Sequence, residues 1–208
     1  MILTYFNIGT IAFIILTYLI GSIPSGVIYS QMHHQRDVRH YGSGGTGATN
    51  IGRNFGFRAA VIVAFCDALK GFIPVLLALH FFNEPAIIMA TMLAAVIGHA
   101  YPIFANFKGG KIVATSMGAF LAYDYKIAIL VILAFVIILY LTSIVSLSSM
   151  LSYTIITCYY VWTSPILVVR IGFILLWLFV LYRHKDNIQR LRQGQEPSIR
   201  WGLRKNSK

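Results

Sequence analysis

The sequence predicts an all-α integral membrane protein with about seven transmembrane helices, and two properties of its composition support this. Apolar residues make up 58% of the chain and charged residues only 11%, whereas roughly a quarter of the residues of a soluble domain are charged. The mean hydropathy is +0.74 over 208 residues, which leaves room for about six or seven helical spans of about 20 residues each. We therefore expect residues 1–208 to form a single transmembrane domain.

Seven apolar stretches divide the chain into its predicted spans. They fall at about residues 3 to 30, 56 to 80, 85 to 105, 112 to 123, 127 to 145, 149 to 163 and 166 to 182. No Lys or Arg precedes the first stretch, which favours a first spanning helix over a cleaved signal peptide. The fourth and sixth stretches are short for a hydrocarbon core of about 30 Å. Five full spans with two re-entrant segments are therefore an alternative.

The distribution of charge predicts the orientation of these spans. Of 17 Lys and Arg residues, four lie in residues 31–58, two in the turn near residue 110 and eight in residues 183–208. Cytoplasmic loops are enriched in Lys and Arg, so we expect the N-terminus outside and the C-terminus in the cytoplasm. The basic tail at 183–208 is suited to anionic lipid headgroups.

The formal net charge of +11 does not require a nucleic-acid partner, because the positive-inside bias and an anionic substrate both explain it. Cys66 and Cys158 lie inside apolar runs without metal-ligand spacing. We therefore predict no disulfide, metal site or redox pair.

A glycine-rich segment is the first concentrated chemical signal. It reads Tyr41-Gly42-Ser43-Gly44-Gly45-Thr46-Gly47-Ala48-Thr49-Asn50. Glycine permits the positive φ angles that gather backbone N–H groups into an anion-binding concavity, and a helix starting near Thr49 or Asn50 would add its positive end. Ala48 and Thr49 stand where a Walker loop needs Lys and Ser or Thr, which argues against a nucleotide triphosphatase. A flexible hydrophilic loop is the alternative, although Arg53 close by favours a phosphate site.

Three further polar motifs fall at the predicted cytoplasmic side. Lys108 and Lys111 bracket two glycines, which indicates either a second anion site or a topological turn. A hydroxyl-rich run includes Ser146 and Ser149, and such residues also serve helix packing in membranes. His184 and Asn187 are three residues apart and would share a helical face.

Two charged residues inside the second apolar stretch, Asp67 and Lys70, are predicted to form a buried ion pair that supports the site, because unpaired intramembrane charges are costly. All four motifs together predict a membrane-embedded pocket for a phosphorylated substrate.

These motifs, in this order and spacing, resemble the acyl-phosphate:glycerol-3-phosphate acyltransferases of bacteria, the PlsY family. The resemblance covers nearly the whole chain. The motifs that carry it are Gly21-Ser22-Ile23-Pro24-Ser25-Gly26, Gly42-Ser43-Gly44, Gly47-Ala48-Thr49-Asn50, Asp67-Ala68-Leu69-Lys70-Gly71, Gly98-His99 with Pro102, Phe107-Lys108-Gly109-Gly110-Lys111, Ser146-Leu147-Ser148-Ser149, His184 to Asn187, and Gly194-Gln195-Glu196-Pro197.

The resemblance implies transfer of a fatty acyl group from acyl phosphate to the 1-hydroxyl of glycerol 3-phosphate, giving lysophosphatidate and phosphate in bacterial phospholipid synthesis. It also implies that a soluble enzyme supplies the acyl phosphate and that the reaction needs no cofactor. The residues carried over for substrate phosphates are Ser43, Gly44, Gly45, Thr46, Gly47, Asn50, Arg53, Lys108 and Lys111. Those carried over for glycerol 3-phosphate and catalysis are Ser149, His184 and Asn187, with Asp67, Lys70, His99, Ser146 and Glu196 supporting them.

Several points stay open from sequence. The proton acceptor is His184, a Ser149 relay or a substrate phosphate oxygen. No His is followed five residues later by Asp and no GxSxG occurs, so direct transfer without an acyl-enzyme is predicted. Gly45 stands where the family usually has Asn, and Ile112 where it usually has Gly. A transporter or a lipid-binding paralogue for a phosphorylated small molecule is the alternative function.

Overall fold

The computed structural model describes residues 6–199 and 201–203, and all regular secondary structure in these residues is helical. The chain forms two compact units, Met1–Tyr123 and Asp124–Lys208. Four of the eight cations of the predicted basic tail lie outside the described residues. They are Arg200, Arg204, Lys205 and Lys208.

From residue 6 onward the first unit has six α-helices, and two short 3₁₀ turns lie at Val38–His40 and Ile103–Ala105. The helices are α1 (Ile8–Gly21), α2 (Ser25–His34), α3 (Ala48–Phe55), α4 (Phe57–Phe81), α5 (Pro85–Ala100) and α6 (Val113–Tyr123). The second unit contains α7 (Tyr125–Thr142), α8 (Val145–Thr163), α9 (Leu167–Arg183) and α10 (Lys185–Arg192).

The first apolar stretch is a candidate span over Ile8–His34, as predicted, but it consists of two helices. α1 ends at Gly21 and α2 begins at Ser25. Pro24 lacks a backbone N–H and disfavours helical conformation at Ile23, so the helix breaks here. The break releases the carbonyl of Ile23 from helical hydrogen bonding, and Lys70 of α4 donates to it at 2.7 Å.

Close helix packing brings the elements of the first unit together. On α4, a Cβ at Gly71 would overlap the carbonyl oxygen of Thr115, and on α6 a Cβ at Gly118 would overlap that of Ala68. α1 approaches α5 in the same way at Gly21. Small residues permit such approach where helices pack inside a membrane.

In the second unit, the segment after α10 returns to the end of α7. Ile199 N donates to Ser143 O and Leu203 N to Tyr140 O, each at 2.8 Å. The ring of Trp201 packs edge to face on Tyr140 at 5.4 Å between centroids. Part of the predicted tail is therefore an ordered strap on its own unit.

Four segments among the described residues are long and apolar enough to cross a membrane. They are Ile8–His34, Phe57–Phe81, Pro85–Ala105 and Tyr125–Thr142. A fifth arises if Leu167–Arg183 and Lys185–Arg192, which are bent by 60°, count as one span. α6 has only 11 residues, about 16 Å of helix, which is about half of a hydrocarbon core of about 30 Å. The protein is an all-helical integral membrane protein.

Candidate active site

Asn50 organises the glycine-rich loop. Its Oδ1 accepts from Ser43 N at 3.0 Å, and its Nδ2 donates to the carbonyls of Tyr41 and Gly45, each at 2.9 Å. Gly42 and Gly44 have φ of 58° and 69°, which glycine adopts without steric cost. Asn50 is buried, and its amide is engaged by the loop itself. Asn50 thus organises the loop that the sequence predicts to bind a substrate phosphate.

The end of the loop carries the predicted helix start. α3 begins at Ala48, with Gly47 as its N-cap residue, one residue before the predicted start. Thr46 is buried, and its carbonyl packs against Gly26 so closely that a Cβ there would overlap it. Arg53, further along α3, is exposed.

A basic cavity of about 260 Å³ lies beside this loop, lined by Arg39, His40, Gly44, Asn106 and Lys108. Of these residues, Gly44 and Lys108 were predicted from sequence. The other three were missed, although an Asp-x-Arg pair directly before a glycine loop is a signal that could have found Arg39.

Arg39 is held firmly in the wall of the cavity. Its Nε is 3.0 Å from each carboxylate oxygen of Asp37, and its Nη2 donates to Oδ2 at 2.6 Å. Its Nη1 donates to the carbonyl of Ala105 at 3.1 Å, so this guanidinium joins two loops of the first unit. The hydrogen bonds from Arg39 lower the pKa of Asp37, and the carboxylate in turn raises the pKa of Arg39.

Asp67 and Lys70 form the predicted buried ion pair, with Lys70 Nζ 2.6 Å from Asp67 Oδ1. Lys70 Nζ also lies 2.7 Å from Ile23 O and 3.3 Å from His99 Nδ1. The side chains of Asp67, Lys70 and His99 are all buried. The network therefore connects α4, the break after α1 and the end of α5.

The turn between Phe107 and Ile112 has an unusual backbone. Asn106, Phe107 and Ile112 have φ of 52°, 57° and 62°, a region that is strained for a β-branched residue. Ile112, at the position where the family resemblance leads us to expect Gly, therefore has a left-handed backbone. Its side chain is fully buried. α6 begins at the next residue, and the buried hydroxyl of Thr115 in its first turn has no hydrogen-bond partner among the described residues.

Glu196 gathers three side chains of the second unit. Its Oε1 accepts from Ser146 Oγ at 2.7 Å and from Asn187 Nδ2 at 2.6 Å, and its Oε2 accepts from Arg190 Nε at 2.7 Å. Burial would raise the pKa of Glu196, but these hydrogen bonds and the charge of Arg190 outweigh it and lower the pKa. Ser146, Asn187 and Glu196 were predicted separately, and the structure brings them together.

His184 lies at the junction of α9 and α10, which corrects the expectation that it shares one continuous helix with Asn187. It is buried, and its Nδ1 is 2.9 Å from Val180 O. Because a carbonyl can only accept, Nδ1 carries a proton. Ser149 donates its hydroxyl proton to Val145 O at 2.9 Å, so its oxygen remains an acceptor.

No group of three or more His, Cys, Asp or Glu side chains suited to a metal ion occurs in residues 6–199 and 201–203. This integral membrane protein thus has a glycine loop beside a basic cavity, and both features are suited to a phosphorylated substrate.

Known proteins identify the family. The family model described as glycerol-3-phosphate acyltransferase matches residues 11–194. The chain is 45% identical over 190 residues to the glycerol-3-phosphate acyltransferase of Bacillus velezensis, which covers 90% of this chain and 96% of that protein. It is 42% identical over 200 residues to the enzyme of Enterococcus faecalis, with 92% of each chain covered.

Two solved structures are also similar to the chain. They are of PlsY (YgiH), an integral membrane glycerol 3-phosphate acyltransferase. The glycerol 3-phosphate form has a TM-score of 0.88 at 35% identity, covering 92% of this chain and 96% of the other. The lysophosphatidic acid form has a TM-score of 0.85 at 34% identity, with coverages of 92% and 95%. The chain belongs to the glycerol-3-phosphate acyltransferase family, as its motifs predicted, and is an acyltransferase.

Proposed function

We propose that this acyltransferase takes its acyl group from acyl phosphate. The hydroxyl oxygen at position 1 of glycerol 3-phosphate attacks the acyl carbonyl carbon, the bond from that carbon to the phosphate oxygen breaks, and lysophosphatidate and phosphate are released. Acyl phosphate is an activated anhydride, so its phosphate leaves readily and the protein has mainly to orient the reactants. Orientation supplies about 7 to 11 kcal/mol for well-aligned groups.

The observation that carries the proposal is the basic cavity of the first unit. Lys108 and His40 face Gly44, whose positive φ belongs to a loop suited to anions. Fixed cations offset the repulsion between substrate phosphates and stabilise the charge that develops during transfer. We assign substrate phosphates to this unit. The residues proposed are Ser43, Gly44, Gly45, Thr46, Gly47, Asn50, Arg53, Lys108 and Lys111, with Asp67, Lys70 and His99 supporting them.

For the second unit we propose the handling of the glycerol hydroxyl. The imidazole of His184 is held by its Nδ1 at Val180 O, and Asn187 is oriented by Glu196, whose Oε1 also accepts from Ser146. A base that takes the hydroxyl proton must be held in a fixed orientation. Ser149 as a relay and a substrate phosphate oxygen are the other acceptors.

The proposal is tested by product formation with purified protein in detergent or lipid. Glycerol 3-phosphate is supplied with acyl phosphate, acyl-CoA or acyl carrier protein in parallel reactions. We expect lysophosphatidate from acyl phosphate alone, including in EDTA, since no metal or cofactor is proposed. Product from a thioester but not from acyl phosphate would refute the donor. Trapping a covalent acyl-serine would refute direct transfer.

A whole-chain membrane arrangement is proposed alongside this chemistry. Residues 1–208 act as one acyltransferase domain with seven crossings, the N-terminus outside, and the active site and the tail at 183–208 on the cytoplasmic side of a bacterial cell membrane. In this arrangement a soluble enzyme supplies the acyl phosphate, and glycerol 3-phosphate enters from the cytoplasm. Anionic lipids contact the tail. No nucleic acid takes part.

Labelling of single cysteines tests the orientation. In a chain carrying Cys66→Ala and Cys158→Ala, Glu84→Cys should react with a membrane-impermeant maleimide on intact cells. Gln193→Cys, in the exposed segment after α10, should react only after lysis. The reverse pattern would invert the proposed topology.

A further inference from the structure

The turn from Lys108 to Lys111 packs against His99, the penultimate residue of α5. Gly110 N donates to the carbonyl of His99 at 3.1 Å. A Cβ on Gly110 would overlap His99 Nε2 and would lie 3.1 Å from both neighbouring ring carbons. The imidazole therefore occupies the space that a side chain at position 110 would take.

His99 is in turn fixed by Lys70. Lys70 Nζ donates to Ile23 O at 2.7 Å and forms an ion pair with Asp67 Oδ1 at 2.6 Å. His99 Nδ1 lies 3.3 Å from Lys70 Nζ and 3.6 Å from Asp67 Oδ1. The buried ion pair thus sets the orientation of the ring, with Nε2 directed at Gly110.

We propose that His99 is a positioning residue, held by Lys70, that fixes the turn carrying Lys108 and Lys111 for phosphate binding. This rests on the proposed function, in which the turn holds a substrate phosphate. His99 acts through the backbone at Gly110 and does not itself contact substrate. The two glycines of the turn are required by packing: Gly110 by the imidazole, and Gly109 by the backbone carbonyls of His99 and Ala100.

The two glycines differ in a way that makes the proposal testable. Neither has a positive φ, so alanine is acceptable to the backbone at both positions. The three atoms nearest to a methyl group at Gly110 all belong to the imidazole, whereas one at Gly109 meets carbonyl oxygens that no side-chain change can remove. His99→Asn keeps an acceptor for Lys70 near the position of Nδ1 and empties the space beneath Gly110.

The experiment measures kcat and KM for both substrates in four variants: His99→Asn, Gly110→Ala, the double variant and Gly109→Ala with His99→Asn. We expect each of the first two to raise KM for a phosphate substrate at least fivefold. The double variant should be no worse than either single one, because the methyl group refills the vacated space. His99→Asn should not rescue Gly109→Ala.

A merely structural role would lower the amount of active enzyme, and hence the apparent kcat, with KM unchanged. Unchanged KM in His99→Asn, or fully additive losses in the double variant, would overturn the proposal. Lys108→Met separates this failure from that of the proposed function. If it leaves both KM values unchanged, the turn binds no phosphate. If it raises KM while the His99 and Gly110 effects are additive, only the positioning role fails.

Discussion

Glu196 is the residue of the second unit whose removal should have the largest structural effect. Its side chain is 2% exposed and bonds with Ser146, Asn187 and Arg190 at 2.6 to 2.7 Å. Glu196→Gln keeps one oxygen for Ser146 and Asn187. Its NH₂ group then faces Arg190 Nε, so two donors oppose each other and the guanidinium loses its partner.

The expected loss follows from these contacts. A hydrogen bond to a charged group contributes about 1.5 to 3 kcal/mol, and Arg190 is 34% exposed, so solvent screening places its share at the low end. Weaker bonds from Ser146 and Asn187 to a neutral acceptor add a smaller amount. We expect Glu196→Gln to lower the free energy of unfolding by about 2 to 3 kcal/mol. Glu196→Ala, which removes the acceptor of all three bonds, should cost about 4 kcal/mol or more.

Unfolding by SDS in mixed micelles, followed by tryptophan fluorescence, measures this difference. Asp186→Asn is the matched control: it removes the same charge from the exposed face of the first turn of α10 and should change stability by about 1 kcal/mol or less. If Glu196→Gln is no more destabilising than Asp186→Asn, the three bonds do not stabilise the second unit and the reasoning is refuted.

Three further perturbations have definite signs. The pKa of Glu196 is lower in the folded protein than its ordinary value of 4.5, so ionisation of Glu196 stabilises the fold at pH values above 4.5. This stabilisation is lost as the pH falls through the pKa of the folded protein. The stability difference between wild type and Glu196→Gln should therefore be constant near neutral pH and shrink below pH 4.5. Gly45→Asn should fold normally, since the nearest atom to its Cβ is Ser43 Oγ at 3.6 Å; higher activity in the donor assay is expected if this loop limits turnover, and unchanged activity would remove that explanation. Ile112→Gly relieves about 1 to 2 kcal/mol of left-handed strain but loses a fully buried side chain worth about 2 to 5 kcal/mol, so SDS titration should show net destabilisation.

Hydropathy and length predicted where the helices lie, but they did not predict where the helices are interrupted. Six of the seven apolar stretches correspond to single helices, because burial in lipid requires each backbone to satisfy itself within a helix. The first stretch is broken at Pro24, and the seventh ends in a sharp bend at His184. Hydropathy averages over such interruptions. In the first case Pro24 marked the break, whereas nothing in the composition around His184 marks the bend.

For the site, spacing along a helix was informative and long-range hydrogen bonding was not. Asp67 and Lys70 are three residues apart, so their pairing follows from helical geometry and was predicted. Arg39 acts on the carbonyl of Ala105, 66 residues away. Such a contact depends on how two loops meet in three dimensions, which no local pattern encodes.

The glycines of the two phosphate-suited motifs show why residue type alone could not assign roles. The glycines of the first motif were attributed to positive φ angles around an anion, and those of the second to exposed backbone amides beside two lysines. Gly42 and Gly44 do have positive φ, so any side chain there would strain the loop even without a ligand. Gly110 has an ordinary φ and is limited by the imidazole of His99. A strain at Gly44 cannot be relieved by changing a neighbour, whereas a clash at Gly110 can. Gly45 and Gly47 have neither constraint, so a side chain at either position is compatible with the fold, and Gly45 is the position at which the family resemblance leads us to expect asparagine.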